Sequence, residues 1–91
     1  MPSFAQQEQS NGARKVTSRV VPMYPGVARN MHLVGTVKME AVVDRSGSVK
    51  HVAVKGGHPV LVQAANNAVM LWKYEPGSRD TVEEIEIKFN P

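Results

Sequence analysis

GTVKMEAVVDRSGSVKHVAVK, residues 35–55, reads as two strands joined by a tight turn. In its first half Val37, Met39, Ala41 and Val43 recur at period two, while Thr36, Lys38, Glu40 and Asp44 take the alternate positions. That alternation belongs to a half-buried strand, predicted from Gly35 to Asp44, with Val42 as the one apolar residue on the polar side. Asp44-Arg45-Ser46-Gly47 has the chemistry of a turn. An aspartate bonds its own backbone ahead, and glycine supplies a positive φ. A second strand is predicted from Ser48 to Lys55. Val49, Val52 and Val54 cannot share one face at strict period two, which predicts a bulge near Lys50-His51.

Downstream, Gly56-Gly57 stops the second strand and His58-Pro59 opens a helix, since proline suits a first helical turn. Leu61, Ala64, Ala65, Ala68, Leu71 and Trp72 form one stripe at spacings of three and four, and Glu75-Pro76-Gly77 is the predicted stop. Trp72 is the large anchor of a stripe otherwise made mostly of alanine. Glu84 to Phe89 alternates as a last strand with one oily and one charged face. Upstream, Val20-Val21-Pro22 reads as a short extended piece, and Tyr24-Pro25 leads into a short helix over about 25–32. Residues 1–15 are rich in Gln, Ser and Asn without an apolar period, so they are expected to form a disordered tail or linker ahead of a domain over 16–91. The expected fold is α+β: a three-stranded antiparallel sheet with two helices packed on one face. Its strand order is expected to be second, first, third, which leaves the last strand on an edge.

Composition narrows the function classes. A chain of 91 residues supports one modest core. With no cysteine, disulfides, thiolate zinc sites and thiol catalysis are excluded. The longest apolar run, Ala68 to Trp72, is far short of the ~20 residues of a membrane helix. The net charge of +3 is unevenly placed, with a basic first half and acids gathered after Asp80. None of the five aromatics sits in a basic cluster, which argues against nucleic acid as a partner. Catalysis finds no constellation: there is no Gly-x-Ser-x-Gly elbow, and His32, His51 and His58 form no metal-ligand pair on one helix. No enzyme activity, metal or cofactor is expected. Tyr24-Pro25 is read evenly as a surface clamp or as core packing.

The ordered series Val21-Pro22-x-Tyr24-Pro25, Gly35-x-Val37, Asp44-x-x-Gly47-x-Val49, Trp72-Lys73-Tyr74-Glu75-Pro76-Gly77 and Ile85-x-Ile87-x-Phe89 resembles the C-terminal domain of the TonB family. The resemblance implies a periplasmic, protein-binding domain of an energy transducer that serves TonB-dependent outer-membrane transporters. Such domains capture a short transporter segment, the TonB box, as an added strand. By similarity the receiving edge is the last strand, Glu84, Ile85, Glu86, Ile87, Lys88 and Phe89, with Tyr24 and Pro25 beside it. The family's membrane helix, which engages ExbB–ExbD, and its proline-rich spacer fall outside these 91 residues, so an excised domain and a free periplasmic relative are both expected possibilities. Two rivals remain: a periplasmic structural or assembly module of the same fold with no energy-transducing role, and a small nucleic-acid-binding α+β domain.

Overall fold

The structure, a computed structural model, describes residues 14–90 and the backbone of residues 5–11. Three antiparallel strands form its frame: β3 (Gly35–Val43), β4 (Val49–Gly56) and β6 (Thr81–Asn90), in the spatial order β4-β3-β6. Two helices, α1 (Gly26–Asn30) and α2 (Pro59–Val69), cover one face. Two short strands, β2 (Val16–Ser18) and β5 (Lys73–Tyr74), pair in a small second sheet.

The core follows from strand parity. Register sets Val37 opposite Ile87, Met39 opposite Ile85 and Gly35 opposite Phe89, so the inward residues of β3 and β6 share one face. Ala28 of α1 and Leu61, Ala65 and Val69 of α2 close over that face in one buried cluster. The valine spacing of β4 is resolved by a bulge. Val42 pairs with His51 and Val43 with Val49, so Lys50 is the extra residue. Val49, Val52 and Val54 thereby all stand opposite inward residues of β3. A second register shift falls at Lys55, near the other end of the strand.

The Asp44–Gly47 turn connects β3 and β4. The Asp44 carboxylate accepts hydrogen bonds from the Ser46 amide at 2.9 Å, the Ser46 hydroxyl at 2.6 Å and the Ser48 amide at 3.0 Å. Gly47 has φ +96°, and a Cβ there would lie 2.0 Å from the Tyr74 carbonyl oxygen, so only glycine fits. The Tyr74 amide in turn donates to the Gly47 carbonyl at 2.8 Å, which docks β5 against the turn.

Three expectations need correction. The second helix ends at Val69, well short of Glu75. Leu71 and Trp72 donate to the carbonyls of Ala68 and Val69, a tighter i→i−3 turn that rotates Leu71 outward to 61% exposure and Trp72 into the core. Trp72 is the buried anchor, but from the turn after the helix and not from its stripe. The first helix is shorter than 25–32, because the chain leaves it through His32 at φ 55°. Finally, residues 5–11 do not form part of a disordered tail. Ala5–Asn11 is a strand, β1, paired antiparallel with β6 from Ala5 opposite Asn90 to Asn11 opposite Glu84. Residues 1–4, 12 and 13 of the expected tail lie outside the described residues. The edge expected to be open therefore carries the chain's own N-terminal segment.

Candidate functional site

Among the described residues β6 is the longest strand, ten residues without a register shift against either neighbour. Ile85, Ile87 and Phe89 are buried in the core, Glu84 and Lys88 are exposed, and Glu86 is half-buried. On the outer face Glu86 stands opposite Lys38 and Lys88 opposite Thr36, while Glu84 faces the like charge of Glu40. Lys55 reaches Glu40 at 3.4 Å and offsets that repulsion. The six strand residues read from the sequence thus occupy one continuous element, and the backbone groups that point away from β3 are those β1 pairs with.

Tyr24 joins this strand by packing. It is 4% exposed, its hydroxyl donates to the Leu33 carbonyl, and its ring meets Phe89 edge-on at 5.7 Å. Tyr24 thus packs within the core cluster. Pro25, half-buried, is the N-cap residue of α1. The strap leading to them is held at alternate positions. Val20 offers its carbonyl to the Trp72 indole N–H at 2.9 Å, and Pro22 and Tyr24 are buried. Val21 and Met23 therefore face outward, Met23 at 81% exposure. Between this strap and the outer side of α2 runs an open apolar groove of about 640 Å³, lined among others by Val21, Met23, Val27, Ala64 and Leu71.

Two features escaped the sequence reading. Glu83 sits one residue before the predicted strand and points inward, fully buried opposite Ala41. Its Oε2 accepts from the Thr81 hydroxyl at 2.9 Å, while Oε1 has no partner among the described residues. Extending the Ile85–Ile87 parity back by two residues would have found it. Arg14 lies in the segment expected to be tail. Its guanidinium donates to the carbonyls of Asp44, Glu75 and Arg79, fastening the root of the N-terminal segment to the turns beside β5.

Electrostatics single out one carboxyl. Asp44 is held below the usual aspartate range, first by the Ser46 hydroxyl and then by the Ser48 amide, so its role is to fix the turn. Among the described residues no group of three or more His, Asp or Glu is placed to hold a metal ion, and no helix is long and apolar enough to cross a membrane.

Against known families, residues 20–91 match the one described as Gram-negative bacterial TonB protein C-terminal. This chain belongs to that family. The TonB proteins of Escherichia coli strain K12 and Klebsiella pneumoniae are similar to it at 30% identity over 77 residues and 28% over 81 residues. Those alignments cover 82% and 87% of this chain but 32% and 33% of the relatives, so the chain spans about a third of their length. In fold, this TonB-family domain is similar to the solution NMR structure of the Pseudomonas aeruginosa TonB CTD, with a TM-score of 0.65 at 20% identity. That likeness covers 89% of this chain and 88% of the other. The TonB motifs take on physical roles here: Asp44-x-x-Gly47 makes the turn on which Tyr74 docks, and Trp72 carries the strap.

Proposed function

We propose that this domain works in the periplasm by capturing the TonB box of an outer-membrane transporter as a strand added to the edge of β6, in support of energised uptake. The observation that carries the reading is the pairing of β6 with an extended segment through seven consecutive register positions. The opposite edge of the sheet is a poor alternative. β4 carries two register shifts within eight residues, and bulges interrupt the regular ladder that an incoming strand needs. Edge augmentation draws its affinity from backbone hydrogen bonds, with alternate side chains adding selectivity. Five or six captured residues give a few net bonds of ~1 kcal/mol each, less the ordering of the peptide, hence a Kd of ~1–100 μM for an open edge.

The family reading further implies that force reaches this domain through ExbB–ExbD and a membrane anchor elsewhere in the full-length protein. A second reading rests on the apolar groove beside α2: a structural or assembly module that holds another protein there, with no part in energy transduction. An NMR titration with a TonB-box peptide from a transporter of the same organism separates them. Capture moves the amides of residues 82–90. If millimolar peptide leaves those amides in place, strand capture is refuted and the groove becomes the surface to test.

A further inference from the structure

We infer that residues 5–11 are a built-in competitor for the β6 edge, so that a transporter segment enters by strand exchange and not by docking on an open edge. The inference rests on the strand-capture reading above and adds its regulation. β1 pairs with Glu84–Asn90, which includes every strand position assigned to capture. Each outward N–H and C=O of β6 serves one flanking strand at a time, so β1 and an incoming strand exclude each other.

The pairing has the character of a displaceable cover. Opposite Ile85, Ile87 and Phe89, β3 supplies Met39, Val37 and Gly35, whereas β1 supplies Ser10, Glu8 and Gln6. The segment Ala5-Gln6-Gln7-Glu8-Gln9-Ser10-Asn11 contains one apolar residue, and it stands opposite Asn90 at the very end. Cross-strand side-chain pairs are what stabilise one sheet pairing over another, and this strand offers almost none of the apolar kind. Backbone pairing and proximity act in its favour. Only two residues separate Asn11 from Arg14, whose guanidinium is fastened to the carbonyls of Asp44, Glu75 and Arg79. A tether this short gives the segment a millimolar effective concentration at the edge.

Two consequences follow for function. In the resting domain the edge is shielded from unwanted pairing. A segment with apolar residues at alternate positions, placed opposite Ile85, Ile87 and Phe89, has the side-chain contacts that β1 lacks and displaces it. If β1 is docked nine-tenths of the time, the apparent Kd for such a segment rises about tenfold, equivalent to ~1.4 kcal/mol.

The test compares three forms of the full chain against one TonB-box peptide. In the first, Glu8→Pro with Gln9→Pro removes a β1 donor whichever way the strand alternates. In the second, Ala5→Cys with Asn90→Cys places the chain's only two thiols at paired positions, so that oxidation locks β1 in place. The parent is the third. Without peptide, the outward amides of β6 should be protected from hydrogen exchange in the parent and exchange faster in the proline variant. With peptide, the proline variant should bind about tenfold tighter than the parent. The oxidised cysteine pair should not bind, and reduction should restore the parental Kd. Equal peptide affinity in the parent, proline and oxidised forms overturns the inference while leaving capture in place. So does failure of the cysteine pair to cross-link. If β6 amides are released by proline but no form binds peptide, the capture reading falls, and the inference with it.

Discussion

Replacing Trp72 tests how the strap, the second helix and the small sheet are held together. Its side chain is fully buried, and its indole N–H is bonded to the Val20 carbonyl at 2.9 Å. Trp72→Ala leaves a cavity that costs ~3–5 kcal/mol. Val20 lies near the surface, so water can replace the lost donor, and that loss adds at most ~1 kcal/mol. The sum, ~3–6 kcal/mol, is a large part of the ~5–10 kcal/mol expected for a domain of this length. Trp72→Ala should therefore be largely unfolded at 37 °C. Trp72→Phe keeps one ring and loses the N–H, for ~2 kcal/mol, which lowers Tm by ~8–16 °C in a domain of this size. Arg19→Ala is the control. Its guanidinium lies 5.7 Å from the Trp72 ring centroid at the surface, and its removal should cost at most ~1 kcal/mol. The assay is thermal and urea unfolding followed by far-UV circular dichroism, because the variants lack the chain's one tryptophan. A Trp72→Ala protein that melts within a few degrees of the parent refutes the role of this residue as anchor.

Three other outcomes are expected. Tyr24→Ala should lower stability by ~3–5 kcal/mol and Tyr24→Phe by ~1 kcal/mol in urea unfolding; an alanine variant of parental stability with weakened peptide binding would restore Tyr24 as a clamp. For Asp44 the folded carboxyl titrates below the ordinary value of about 3.9, so its contribution is complete above that pH and is lost as pH falls through the lower folded value. Asp44→Asn should accordingly lose less stability than the parent between pH 7 and pH 3, and equal losses in urea midpoint would contradict this. Glu83→Met removes a buried carboxyl with one oxygen unpartnered among the described residues, and should raise Tm by several degrees; a lower Tm would mean that the carboxylate is satisfied.

Where burial imposes a period, the chain could be read directly. Val37, Met39, Ala41 and Val43, then Ile85, Ile87 and Phe89, alternate because one face of the sheet is sealed by helices. Even the bulge at Lys50 was legible, since three valines had to reach one face. The end of the second helix was not. Ala68 to Trp72 is continuously apolar, and such a run is compatible with another helical turn or with a tight exit. The exit wins because Tyr74 is drawn to the Gly47 carbonyl and Glu75 to that of Lys15, contacts between distant parts of the chain. The direction of Tyr24 carried a signal that went unused: Pro22 and Tyr24 face in while Val21 and Met23 face out, a period of two through the strap.

β1 was illegible for a deeper reason, which also bears on what the edge can do. A strand is recognised in sequence by the side chains it buries, and Ala5–Asn11 pairs at positions where it offers mostly glutamine, serine and asparagine. Its pairing is with backbone, and every residue but proline has the same backbone to offer. An edge that accepts so featureless a segment discriminates little by side chain on its own account. Selectivity must then come from the difference between two occupants. The polar segment already in place sets a threshold, and a competing strand passes it only by adding apolar contacts opposite Ile85, Ile87 and Phe89. A bare edge would pair with any extended chain of sufficient length; one covered by its own weak strand exchanges only for a better one.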